Sequence, residues 1–149
     1  MRPGALEFGL DLRQLVAAAG DAIIVCDAQG DIRLWNPAAE RVFGHTESEA
    51  LGQSLDMIIP QRQRERHWEG YHKTMDTGVT KYGADVLRVP AMHKDGRTLS
   101  IAFTVAMLFS PGHKVTGIAA IVRDETARFA EERKLRTRLS ELEAKLKGG

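Results

Sequence analysis

Apolar residues fall along this chain in short runs of two kinds, and each kind predicts an element. Ala22–Asp27 (AIIVCD) is nearly continuous, whereas Asp31–Asn36 alternates Ile32 and Leu34 with Arg33 and Trp35. A turn at Ala28-Gln29-Gly30 joins them, which predicts a hairpin inside a mixed sheet. Gly83–His93 predicts a further strand, and Pro90 within it suits an edge or a bulge. Lys94-Asp95-Gly96 is a hairpin signal. Thr98–Leu108 then alternates strictly, placing Leu99, Ile101, Phe103, Val105 and Met107 on one face. Ser110-Pro111-Gly112-His113 turns the chain into a last strand, Val115–Arg123. The expectation is five strands, two before a helical region and three after it, the three forming an antiparallel meander.

Helical spacing fills the gaps. Asp11 can cap a short helix with Leu12, Leu15, Val16 and Ala19 on one stripe and Gly20 as its stop. Its apolar stripe must pack on the domain or on another chain, because about ten residues are marginal alone. Asn36-Pro37 starts a helix that buries Ala38, Ala39, Val42 and Phe43 and stops at Gly44. Ser48–Gly52 is a helical turn and Leu55–Ile59 a short apolar element before Pro60. Gln61–Thr77 is the longest interior helix. Trp68, Tyr71, His72 and Met75 share one of its faces, His67, Tyr71 and Met75 form the neighbouring stripe, and Arg62, Arg66, Glu69 and Lys73 take the wet side.

A final helix runs from Asp124-Glu125-Thr126 to about Lys147. Leu135, Leu139, Leu142 and Leu146 are spaced four, three and four apart, a heptad seam among charged flanks. It reads as a dimer seam, the alternative being a solvated terminal helix that packs on its own domain.

Composition narrows the function classes. The 149 residues make one domain, 43% hydrophobic and 28% charged with formal net charge +1, which offers no electrostatic footprint for nucleic acid or an anionic membrane. Cys26 is the single cysteine and reads as a small core residue, so no intramolecular disulfide and no CxxC motif can form. No run of 18 apolar residues predicts a transmembrane helix, and the amino end lacks a secretory layout, so a cytoplasmic location is expected. No GxSxG, P-loop, HExxH or EF-hand loop is present, and an enzyme is not expected. His45, His93 and His113 fall at turns or strand ends and are expected to be solvated; Met92 and Met107 read as core fillers.

Three segments together resemble a PAS sensory domain: DAIIVCDAQGDIRLWNPAAERVFGHTESEALG at Asp21–Gly52, KDG at Lys94–Gly96, and GIAAIVRDETAR at Gly117–Arg128. The resemblance covers about Asp21 to Thr126 and implies an α+β PAS fold. That fold has a five-stranded antiparallel sheet with short helices on one face, flanked by an N-terminal helix and a C-terminal coiled-coil-like helix. It divides the chain into a cap helix (1–20), the PAS domain (21–126) and a signalling or dimerisation helix (127–149). It further implies a ligand held between the inner face of the sheet and the helices. Asp124 and Thr126 match the D-x-T motif that closes the PAS core and starts the signalling helix.

A closer resemblance is to the haem-binding PAS domains of oxygen-sensing histidine kinases. In those, a proximal His precedes a T-G pair by ten residues and a K-D-G turn follows; here His67 lies ten residues before Thr77-Gly78. The resemblance implies haem b on His67, with Tyr71, Met75, Leu87, Ile101 and Phe103 around it, and His72 as second choice for the ligand. Leu87 occupies the place of the distal Arg that stabilises bound oxygen, and Arg88 is one residue off. CO or NO, or no haem at all, suits such a site better. Trp68 beside the ligand position also departs from the pattern. The flavin photoreceptor subclass is disfavoured, because LGQSLDMIIP stands where its reactive Cys would be. The expectation is a homodimeric sensor serving a kinase, cyclase or transcription-regulator output in cis or in trans. The rival is a ligand-free dimerisation module. On the bare residues, His67 is otherwise a surface histidine on a charged helix.

Overall fold

Asp27 and Gly30 set the first hairpin. The Asp27 carboxylate accepts hydrogen bonds from the backbone N–H groups of Gln29 and Asp31, both at 3.0 Å. Gly30 takes a left-handed φ of 85°, which its missing Cβ permits. The structure, a computed structural model, describes residues 9–80 and 83–148, so the extreme amino end and Gly149 lie outside it. The hairpin strands are β1 (Ala22–Asp27) and β2 (Ile32–Trp35); β3 is Leu87–Met92, β4 Thr98–Phe109 and β5 Val115–Asp124. Their order is β2-β1-β5-β4-β3. Every pairing is antiparallel, so the sheet is not mixed as the continuous run of β1 suggested, and β2 lies at an edge. The apolar run of β1 reflects its place beside β5, in the middle. β3 is the other edge and accommodates Pro90; it is shorter than predicted, starting only at Leu87.

The helices follow the predicted caps more closely than the predicted lengths. Helix α1 (Leu12–Ala18) is capped by Asp11 and ends before Gly20, with Leu12 and Leu15 exposed. Helix α2 (Pro37–Phe43) starts on Asn36 and ends at Gly44. Helix α3 (Glu47–Ala50) carries a capping box, with Thr46 and Glu49 satisfying each other's backbone N–H groups. The Leu55–Ile58 segment is a 3₁₀ turn, and a second one at Gln61–Gln63 precedes α4 (Arg64–Thr77), which is therefore shorter than Gln61–Thr77. Pro60 supplies no side-chain cap, and the tighter turn takes up the slack. Helix α5 (Thr126–Gly148) leaves from the end of β5.

One core lies between the sheet and α2–α4. Trp35, Phe43 and Ile32 are its largest fully buried side chains, each worth about 1.5–3 kcal/mol by area alone. Trp35 also donates from Nε1 to the carbonyl of His45 at 2.9 Å. Cys26 is buried in β1, and desolvation pushes its thiol up to about 12. The K-D-G hairpin locks this wall: Lys94 N–H donates to the Phe43 carbonyl at 2.9 Å and Lys94 Nζ to Glu49 at 2.6 Å. His93 packs on Gly44 so closely that a Cβ there would sit 2.5 Å from the imidazole Cε1. Two of the three turn histidines are thus not solvated. The His93 side chain is 14% exposed, and His45 buries Nε2 without a hydrogen-bond partner. Only His113 is exposed, at a left-handed φ of 60° that Gly112 beside it does not take.

Candidate functional site

Helix α4 puts Tyr71 fully inside, His67, Trp68 and Met75 half inside, and leaves His72 exposed. The core-facing stripe is therefore His67, Trp68, Tyr71 and Met75, and His72 does not share it as the shared face with Trp68 predicted. The four positions opposite, Arg62, Arg66, Glu69 and Lys73, are exposed as expected. Three contacts anchor the stripe. Trp68 Nε1 donates to Asp56 Oδ1 at 2.6 Å, the Trp68 ring lies on Gly30, and Tyr71 OH donates to the carbonyl of Asp27. None of these was visible in the spacing, because each partner is distant in the chain: Asp56 in a 3₁₀ turn, Gly30 in the first hairpin and Asp27 at the end of β1.

His67 is the unusual group on this stripe. Its Nδ1 is buried with no hydrogen-bond partner, and its ring stands edge-on to Trp68 at 4.5 Å and tilted to Tyr71 at 5.8 Å. Burial holds its pKa below the ordinary histidine value, against the attraction of the Asp56 carboxylate. The imidazole is thus kept neutral, the form that ligates iron. Tyr71, buried beside Cys26 and Asp27, has its phenol pushed well up and stays protonated.

The opposing wall is the inner face of β3–β5. Leu87 pairs with Phe103, and Phe103 with Val122. Ile101 is buried; Phe103, Val105 and Met107 are half-buried and Val89 is exposed, so the helices cover this end of the sheet only in part. Tyr71, Trp68, Met75, Ile101 and Phe103 belong to one packed cluster. Leu87 is half-buried outside that cluster, and Arg88 is exposed. Two clefts that open at the surface lie elsewhere. One of about 380 Å³ separates α1 from Leu34, Trp35 and Pro37, and a trough runs along α5; neither is lined by His67.

Beside Ile101, whose partner on β5 is Asp124, Asp124 and Thr126 meet. Thr126 N–H and Oγ1 both donate to Asp124 Oδ1, at 2.9 and 2.5 Å. Thr126 Oγ1 accepts from Ser100 N–H at 2.9 Å, and Glu125 N–H donates to the Ser100 carbonyl at 2.8 Å. The junction is clamped to β4. The seam residues Leu135, Leu139, Leu142 and Leu146 are all exposed, so α5 does not pack them on its own domain.

The family model for the PAS fold matches residues 10–124. The chain belongs to the PAS family. It is 33% identical over 138 residues to the sensor protein FixL of Bradyrhizobium diazoefficiens, covering 91% of the chain but 26% of FixL. It is 26% identical over 113 residues to the oxygen sensor protein DosP of Escherichia coli, covering 76% of the chain and 14% of DosP. The chain thus spans about a quarter or less of these relatives. A crystal structure of a PAS domain from Colwellia psychrerythraea superposes with a TM-score of 0.68 at 24% identity, over 78% of this chain and 95% of that one, which shows the fold. This PAS domain is of the kind carried by sensor proteins, histidine kinases among them. Among the described residues no helix is long and apolar enough to cross a membrane, and no cluster of three or more His, Cys, Asp or Glu is placed to hold a metal ion.

Proposed function

We propose that this PAS domain is a non-catalytic sensor whose ligand lies between α4 and the partly covered inner face of β3–β5. The specific reading is haem b held by His67, with a diatomic gas as signal. The observation that carries it is the neutral, buried imidazole whose Nδ1 has no partner. The chemistry of the residues present suits the group (one imidazole, a protonated Tyr71, Met75, and an apolar wall of Ile101 and Phe103 with Leu87 at its edge), and room for it would open by displacement of Trp68 and Tyr71, which pack there now. Haem supplies an iron that binds small gases; the chain's own residues hold it, keep water out and leave bound gas without a donor at Leu87. CO or NO is favoured over O₂ for that reason. DosP, an oxygen sensor, lends support to a gas ligand in general.

In the same reading the domain is 21–126, Asp124 and Thr126 pass the change into α5, and the Leu135–Leu146 seam holds a homodimer. The output is a histidine kinase in cis or in trans, as the sensor and kinase relatives suggest, in the cytoplasm where Cys26 stays reduced. A second reading, a ligand-free dimerisation module, is favoured by one observation: Trp68 and Tyr71 already fill the core and are hydrogen-bonded there. Visible spectra with and without haemin decide between them. A Soret band that is lost in His67→Ala supports the sensor; no band, with unchanged dimerisation, leaves the module. Truncation after Thr126 tests the seam, since a fully dimeric truncate removes its role.

A further inference from the structure

Trp68 reaches from α4 to two other elements and is still only half-buried. Its indole Nε1 donates to Asp56 Oδ1 at 2.6 Å, a short bond to a carboxylate on the 3₁₀ turn. The six-membered ring lies on the first hairpin, where a Cβ added at Gly30 would meet its Cζ3 at 2.2 Å and its Cη2 at 2.3 Å. Gly30 is thus the seat that the ring takes. The same ring meets His67 at 4.5 Å and Tyr71 at 5.2 Å, both edge-on. One side chain therefore closes α4 against the 3₁₀ turn and the hairpin, directly beside His67.

The two seats hold each other without it. Leu55 N–H donates to the Gly30 carbonyl at 3.2 Å, Gly52 N–H to the Ile32 carbonyl at 2.8 Å and Ile32 N–H to the Gln53 carbonyl at 2.8 Å. Asp31 and Ser54 add a β-bridge. Helix α4 is pinned separately, by Tyr71 OH on the Asp27 carbonyl and by Arg64 Nε on the Ile59 carbonyl at 3.0 Å. The indole can leave its seat while the frame around it stays bonded. We infer that Trp68 is a side-chain gate to the space under α4, latched by Asp56 and seated on Gly30, and that a ligand of the core binds only molecules in which this gate is open. Apparent affinity is then the intrinsic affinity scaled by the open fraction. Asp56 and Gly30 set that fraction without having to touch the ligand.

This rests on the reading that a ligand lies between α4 and the sheet, and separate probes test the two. Acrylamide quenching reads the gate: Trp35, the other tryptophan, is 1% exposed, so the quenchable signal belongs to Trp68. The apolar dye anilinonaphthalene sulfonate reads access to the space behind it. In Asp56→Ala quenching should rise and the dye should bind about tenfold more tightly, the equivalent of one lost hydrogen bond to a charged group. Asp56→Asn, which keeps an acceptor oxygen, should fall between. Gly30→Ala, which evicts the ring from the other end with Asp56 intact, should gain dye binding too. In Trp68→Ala the dye should bind as tightly as in Asp56→Ala, and adding Asp56→Ala to it should change nothing further, because Asp56 acts through the indole. Unchanged quenching in Asp56→Ala, or a dye gain from Asp56→Ala that persists in the Trp68→Ala background, overturns the gate. Haemin titrated into the same variants tests the ligand. Dye gains without haemin uptake in any variant leave the gate and remove the haem; equal haemin affinity in the native chain and in Asp56→Ala removes the gate and leaves the haem.

Discussion

Asn36 is where the structure makes its sharpest demand on stability. It is 3% exposed and, among the described residues, is the one polar side chain classed with the buried core. Its Oδ1 accepts from Ile23 N–H at 2.8 Å and from Ala39 N–H at 3.0 Å; its Nδ2 donates to the carbonyls of Val16 at 3.0 Å and Asp21 at 3.1 Å. One amide therefore caps α2, braces β1 and ties down the end of α1. In Asn36→Ala the lost cap costs about 1 kcal/mol. The partly buried Ile23 N–H left without its acceptor costs up to a further ~1–3 kcal/mol. The expected total is about 2–4 kcal/mol, with the melting temperature down by about 6–15 °C for a chain of this size. Asn36→Asp separates the two sides of the amide. It keeps the acceptor but turns an oxygen on two carbonyls, which raises the carboxyl pKa and favours its protonated form. The Asp variant should therefore be least stable at high pH and recover as pH falls through the raised pKa, while the Ala variant shows no such recovery. Urea unfolding at several pH values measures both. A loss below about 1 kcal/mol in Asn36→Ala, or parallel pH curves for the two variants, would refute the shared-amide reasoning.

Other perturbations test the site and its supports. Gly30→Ala forces an L residue to φ 85° and a Cβ to within 2.2 Å of the Trp68 ring, so it should cost about 2–4 kcal/mol and shift Trp68 fluorescence; an unchanged spectrum would mean the ring is free to move. Lys94→Ala removes the main cause that holds the Glu49 carboxyl at about 2. Because the folded pKa is depressed, that stability is present above the ordinary carboxylate range and lost as pH falls toward 2; the variant's thermal melts should show a shallower acid limb, and superimposable limbs would discount the latch. His67 is held neutral, so its contribution is present above the ordinary histidine value of 6.5 and lost as pH drops below it. His67→Gln should flatten part of that slope, the remainder belonging to His45, whose pKa burial also lowers; a slope unaltered by the substitution would place His67 in solvent.

What could be read from the sequence and what could not divide along a physical line. Period-two alternation gave β4 its inward face correctly, and the caps at Asp11 and Asn36 were recognisable, because both depend on neighbours within a few residues. The family followed from the same local motifs. The position of β2 at an edge, the burial of His93 and the Trp68–Asp56 bond depend on chain segments brought together only by folding, and no spacing encodes them. Helix α4 shows the boundary well. The i, i+4 stripe through His67, Tyr71 and Met75 was legible, but so was the equally regular one through Trp68 and His72, and only the helix's rotation on the sheet leaves His72 outside. Asn36 looked like a cap and nothing more, since the reach of its Nδ2 to Val16 and Asp21 needs α1 to fold back over β1.

Two strands tie the core to the start of the exit helix: β5 runs into it and β4 is hydrogen-bonded to it. On β4, Ile101 faces the cluster that holds Tyr71 and Met75, while the backbone of the preceding residue, Ser100, holds Thr126 Oγ1 with its N–H and Glu125 N–H with its carbonyl. Adjacent strand residues point to opposite faces but share one rigid backbone. A ligand that pressed on Ile101 would therefore move the two groups that fix the start of α5. A ligand that entered between α4 and the sheet would meet Tyr71, whose hydroxyl is already spent on Asp27. Breaking that bond on entry and making it again on release would give the domain two packings that a ligand can tell apart, the condition any relay to α5 has to meet.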